Sequence, residues 1–295
     1  MRFSGVLALA KVRRHIQFGT AGFRETSRTM SEPEKFAVLR AARRIWAISP
    51  VHGDLPRLGA LHGYVAERFQ DGDRLVYLGG MLGRGSDVAG VVDELVSFRR
   101  QILARPNMFT IDIVYLRGQQ EVMWQKLLQL QFAPNPKEVL PWMLQQGVAA
   151  TISAYGGDPA EGIVRCREGA LAITRWTNSL RTAMQARPGH FQLMAELRRA
   201  AYTDDYGLLF VHAGIDPDRP LDAQGDTLWW GSAGFATLSQ PYGEFLKVVR
   251  GFDRQHGGPA MNAYAITLDG GCGYGGKALV ACLDPKGEIL DLVET

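Results

Sequence analysis

The sequence predicts a layered α/β domain on three observations. Strand-like and helix-like apolar periods alternate from Ile45 onward, turns rich in glycine and proline close most apolar runs, and the last third is rich in strands. With 295 residues, 46% of them apolar and 21% charged, the chain can bury a sizeable core, which excludes global disorder. No run approaches the roughly 18 consecutive apolar residues of a membrane helix, so no transmembrane segment is expected. Cys166, Cys272 and Cys282 are too few for a disulfide framework and lack the spacing of a zinc knuckle. They read as small buried apolar side chains in a reducing compartment.

Taken in order, Ser31 and Glu34 make a capping box that predicts a helix over residues 32–44. Residues 45–48 with Val51 read as a short buried strand. Leu58, Leu61, Val65 and Phe69 then recur at helical spacing, and Asp71-Gly72-Asp73 marks a turn. The apolar run 75–78 is a second strand, ending in the glycine-rich segment 79–85. Ser86 is the expected cap of a helix through Val91, Val92, Leu95 and Phe98. A third strand spans 111–116 and is closed by Arg117-Gly118. Helices are expected over 121–131 and much of 137–199, placing Trp124, Leu127, Leu128, Trp142, Met143 and Leu144 mostly in helix core. Strands follow at 208–211, 248–249, 264–268, 278–283 and 289–293, with a Pro285-Lys286-Gly287 turn between the last two.

Charge divides the chain. Residues 1–44 hold ten Lys/Arg against Glu25, Glu32 and Glu34, a net +7; with +3 overall, the remainder carries −4. A mildly acidic body is a poor nucleic-acid surface, because phosphate binding needs clustered positive charge. The domain reading is therefore a basic N-terminal arm and helix over 1–45 and a main domain over 46–295. Two readings of the arm stand: an organellar transit peptide over 1–29, or an upstream extension of a chain that starts at Met30, which leaves the protein cytoplasmic.

Ligands of open α/β sheets bind beyond the carboxyl ends of the strands. The segments at those ends read "VHGDLPRL", "LVYLGGMLGRG", "YLRGQQE", "LFVHAGIDP", "VVRGFD" and "TLDGGCGYGGKALVACL", in that order. This series resembles the calcineurin-like metallophosphoesterases, in the phosphoprotein phosphatase and diadenosine tetraphosphatase branch, whose motifs run GDxHG, GDxxDRG, RGNHE, HAG and a late GH pair. The resemblance covers roughly residues 46–295. It implies a metallophosphoesterase-type sandwich of two mixed β-sheets flanked by helices.

The residues that hold metal in that family are mostly replaced. Its metal-binding positions fall on Gly53, Leu55, Gly80, Gly83, Gln119, Gln120, Arg250 and Phe252, and only His212 matches a ligand type. Such enzymes bridge two divalent cations about 3.5–4 Å apart with carboxylates and use them to make hydroxide near neutral pH. Neutral glutamine oxygens compete weakly with water for such cations. No metal or other cofactor is expected; the alternative is a divalent ion such as manganese in an atypical set of His52, Asp54, His212 and Gln119. Against that set, a one-residue shift at a strand end turns His52 and Asp54 away from the original site, leaving Asp54 to cap a helix.

What remains at these strand ends is basic. Arg84 matches the arginine that contacts phosphate in the family, Arg117 precedes the third motif, and Arg250 replaces a ligand histidine. With His212, they are the candidate ligand-binding residues, since guanidinium forks suit phosphate. The competing reading pairs each arginine with a neighbouring acid, Asp87, Glu121 or Asp253. Three functions follow: a catalytically degenerate phosphatase-like protein that binds a phosphorylated ligand or protein partner, a working metal-dependent phosphoesterase, or an adaptor whose basic arm contacts an acidic membrane or RNA.

Overall fold

The computed structural model describes residues 35–295. The arm, the two candidate start sites and the Ser31–Glu34 capping box lie outside them. Where the predicted helix 32–44 is described, it is extended: Phe36–Leu39 forms β1 and Arg44–Ile48 forms β2. β1 pairs in parallel with Ala200–Thr203 (β5), which outweighs any local helical preference. The boundary expected at residue 45 thus falls inside β2.

The remaining elements keep the predicted order with shifted ends, apart from strands Ala200–Thr203 and Ala260–Met261 and helix Thr227–Trp230, which the sequence pattern does not predict. They are α1 (Leu55–Arg68), β3 (Asp73–Tyr77), α2 (Val88–Leu103), β4 (Ile113–Tyr115) and α3 (Gln119–Leu127). A helical layer runs through α4 (Pro136–Met143), α5 (Ala149–Ala154), α6 (Pro159–Glu168), α7 (Ala170–Gln185) and α8 (His190–Ala195). After β5 come β6 (Leu208–Val211), α9 (Thr227–Trp230), β7 (Lys247–Arg250), β8 (Ala260–Met261), β9 (Ala265–Thr267), β10 (Leu279–Leu283) and β11 (Ile289–Glu294). One sheet has the order β1-β5-β6-β7-β9-β8 and the other β11-β10-β2-β3-β4, each with parallel and antiparallel pairs.

The period of two along each strand decides which layer a side chain joins. In β2, Ile45 and Ala47 enter the core between the sheets with Val76, Leu78, Phe210, Val249 and Ala281. Trp46 and Ile48 point the other way, into the larger core against the helices. Both faces are buried, so β2 and β3 read as continuous apolar runs, whereas the edge strand β11 alternates between half-buried and exposed. Helix α2 supplies Val88, Val91, Val92, Leu95, Phe98 and Ile102 on one stripe. Its cap is Asp87, not Ser86: the carboxylate accepts from Gly90 N–H at 2.7 Å. Trp142 also departs from expectation, being 40% exposed and set against Trp230 at 5.7 Å between ring centroids. Among the described residues, no helix is long and apolar enough to cross a membrane.

Candidate functional site

The loops after β2, β3, β4, β6, β7 and β9 meet at one end of the two sheets. Backbone bonds lace the first two together: His52 N–H donates to Gly80 carbonyl at 2.8 Å and Gly53 N–H to Met81 carbonyl at 2.9 Å. Glu121, at the start of α3, locks the β4 loop onto them. Its buried carboxylate accepts from Gly118 N–H at 2.8 Å, Gly80 N–H at 2.9 Å, Met81 N–H at 2.8 Å and Leu82 N–H at 3.0 Å. Burial raises the Glu121 pKa, and backbone N–H groups, those of Leu82, Gly80 and Gly118 among them, oppose that rise by favouring the charged form.

The structure brings His212, Gly80, Gly83, Gln120 and His52 together and packs the space between them. A Cβ added at Gly80 would lie 2.8 Å from Pro50 Cβ and within 3.3 Å of Cε1 of both His52 and His212. A Cβ at Gly83 would lie 2.3 Å from Gln120 Oε1, and φ there is +83°. The glutamine has taken the volume a side chain at 83 would need. Gln120 itself is anchored by its Nε2, which donates to Gln146 carbonyl at 2.8 Å. Phe252 covers the cluster, with its ring stacked on His212 at 5.4 Å and 14° and set edge-on to His52 at 6.4 Å. Leu55 is the first residue of α1, half-buried against the main core.

The two histidines are neutral. Burial holds His212 at about 4 and, with the nearby His212, holds His52 at about 3. His212 Nδ1–H donates to Leu78 carbonyl at 2.8 Å, so Nε2 carries a lone pair, and that atom is buried without a partner. Gln119 Oε1 and Gln120 Oε1 are likewise buried and unpartnered. By contrast His62 is satisfied by Glu94 and Tyr77, and His190 by Asp93 and Tyr155. Three of the four buried acceptors without a partner among the described residues thus lie at the strand ends; the fourth is Gln131 Oε1.

These residues do not fit a bridged pair of divalent cations. Among the described residues, no group of three His, Cys, Asp or Glu side chains is placed to hold a metal. Asp54 is committed elsewhere: it accepts from Arg57 N–H at 3.1 Å as the cap of α1 and forms an ion pair with the Arg57 guanidinium. His52 Nδ1–H leans toward Leu82 carbonyl at 3.4 Å. The four atypical candidates therefore do not assemble into one ligand set. The cysteines offer no alternative, since burial raises all three thiols, Cys272 and Cys282 to about 11.

The three arginines part company. Arg84, at φ +57°, lays its guanidinium over Tyr274 at 3.9 Å, with Nε buried and unpartnered. Its expected partner Asp87 caps α2 instead. Arg117 forms no ion pair among the described residues, because Glu121 is saturated by backbone N–H groups. Only Arg250 meets its expected acid, Asp253 at 3.2 Å, while its Nε donates to Thr267 Oγ1 at 2.9 Å. Two further groups had no sequence signal. Tyr274 lies in a glycine-rich loop whose residues do not show where it folds back, and His256, fixed by Asp269 at 2.9 Å, sets its ring 3.9 Å from that of Tyr274.

No protein-family model matches this chain, and no curated protein is similar enough to be matched. Solved structures do match. A candidate diadenosine tetraphosphatase aligns with 20% identity over 88% of this chain and 97% of its own, at a TM-score of 0.55. A serine/threonine protein phosphatase from Saccharomyces cerevisiae with similarity to human phosphatase PP5 aligns over 90% and 83% at 15% identity and a TM-score of 0.48. A metallophosphoesterase from Sphaerobacter thermophilus aligns over 86% and 88% at 17% identity and 0.41. Of these, the diadenosine tetraphosphatase structure shows the shared fold. The chain shares the fold of that structure, two mixed sheets flanked by helices, which is the architecture the motif series implies.

Proposed function

We propose that this chain is a catalytically degenerate phosphatase-like protein that acts by binding a phosphorylated ligand or protein partner. One observation carries the reading: the volume at Gly80 and Gly83, where the fold's bridging carboxylates would stand, is filled by Pro50, His52, His212 and Gln120. Neutral side chains there supply no charge to offset paired dications. Arg84 at the rim, tethered to Tyr274 with an unused N–H, is the group best suited to receive a phosphoryl oxygen.

Metal analysis of purified protein, paired with a p-nitrophenyl phosphate assay in manganese, tests the first half. The expected result is substoichiometric manganese and turnover indistinguishable from the blank; two manganese ions per chain with saturable hydrolysis overturns it. Titration with inorganic phosphate and nucleotides tests the second half, with Arg84→Ala expected to abolish saturable binding at the site. A second reading, a working phosphoesterase with an atypical metal set, draws on the free lone pairs of His212 Nε2 and Gln119 Oε1. With His52 and Asp54 completing that set, it predicts manganese-dependent hydrolysis that His212→Asn and Asp54→Asn each abolish.

A further inference from the structure

Most arginines built into the folded body meet an acid. Arg44 is paired with Asp73, Arg74 with Asp112, Arg99 with Glu196 and Arg250 with Asp253. Arg117 and Arg199 break that pattern together. They meet at the seam of the two sheets, where Leu116 bridges in parallel to Arg198 and Arg117 N–H donates to Arg198 carbonyl at 2.7 Å. Burial, and then the neighbouring Arg199, depress the Arg117 pKa, and the Glu121 charge opposes them in part. Arg199 lies over the Trp229 ring at 5.5 Å.

The polar atoms here are donors without acceptors. Arg117 Nε, Arg199 Nε and Trp229 Nε1 are each buried and unpartnered. The acceptors nearby are already used. Glu121 accepts four backbone N–H groups, and Gln224 Oε1 accepts from Asp216 N–H at 2.9 Å. Among the described residues, Arg199 Nη2 reaches only the Gln224 backbone carbonyl. Two like charges and an indole N–H, with the one nearby carboxylate, Glu121, already taken up by backbone N–H groups, are complementary to a multiply charged oxyanion, which guanidinium forks bind in bidentate geometry.

We propose that Arg117, Arg199 and Trp229 form a second anion site, distinct from Arg84, that takes a phosphoryl group. The group arrives either as free phosphate or on a phosphorylated chain. The probes are inorganic phosphate and a phosphoserine peptide, followed by tryptophan emission of the full chain and differenced against Trp229→Phe, which removes the indole donor while keeping an aromatic packing group. Saturable binding in the millimolar range or tighter, weakened about tenfold or more by Arg117→Gln and by Arg199→Gln, upholds the site. The tighter of the two probes names the source. The signal persists in Arg84→Ala, which separates this site from the reading above. Absence of saturable emission change in folded wild-type protein overturns the proposal, as does binding unaltered by both glutamine variants. Circular dichroism confirms that each variant folds, and Trp229→Phe, weakened a few-fold by direct titration calorimetry, stands in where a guanidinium variant does not.

Discussion

The two ends of the β2–β3 pair treat buried polar groups in opposite ways. At the start of the strands, Asp73 is 1% exposed and fully used: it accepts from Arg44 Nε at 2.9 Å and Nη2 at 2.7 Å, Trp46 Nε1 at 2.9 Å and Gln70 N–H at 2.9 Å. At the finish, His212 Nε2, Gln119 Oε1 and Gln120 Oε1 have no partner, and two buried histidines face each other without an acid. A buried polar atom left unpaired costs free energy that selection for stability alone would remove. The first end is built to hold the sheet. The second keeps unused bonding capacity where open α/β sheets take ligands.

Acid should break this contrast most strongly. In the unfolded chain both imidazoles take up protons as pH falls below about 6.5, whereas the folded protein keeps them neutral until about 4 and about 3. The unfolded state then binds more protons, so the full contribution is present above about pH 6.5 and is lost as pH falls. Each histidine should cost up to about 1.4 kcal/mol per pH unit, several kcal/mol between pH 6.5 and 4 together. Urea unfolding across that range checks it: His212→Asn should flatten the slope, and an unchanged slope removes the site's part in acid lability.

At the opposite end, Asp73→Ala strands the Arg44 charge and the Trp46 N–H. We expect a loss of about 3–5 kcal/mol in denaturant unfolding, as for removing one partner of a buried pair. A loss no larger than that of a surface change would mean water replaces the carboxylate there. Gly83→Asp should cost about 2 kcal/mol through crowding of Gln120, and Gln120→Ala in the same chain should return part of it. Full stability of the single variant, with manganese bound, would show that the packed volume opens readily. The smallest effect belongs to the exposed Lys277–Glu294 pair, 2.7 Å apart. Lys277→Ala should change stability by about 0.5 kcal/mol or less, and less still in high salt.

Much of the fold was legible because its core strands are buried on both faces and its long helices show one apolar stripe. Residues 45–48 and the Val91–Phe98 stripe stand where periodicity put them. The 36–39 segment did not, because a capping box is a local signal and pairing with β5, over 160 residues away in sequence, outweighs it. At the candidate site the replaced positions were legible one by one, and so was the Arg250–Asp253 pair, which lies three residues apart. The neighbours that sequence proximity offered to Arg84 and Arg117 were not the ones the fold supplied. Asp87 turned to a helix cap and Glu121 to four backbone amides.

The chain alone determined residue type and order: which strand-end positions lack a carboxylate, which loops are glycine-rich, and where positive charge recurs. Those are local properties, readable along one dimension. Whether the emptied positions stay open, and which guanidiniums lack a partner, depended on contacts between residues far apart in sequence. Gln120 against Gly83, Tyr274 beneath Arg84 and Arg199 beside Arg117 exist only after the sheets pack, because close packing leaves each volume to whichever side chain the fold delivers there.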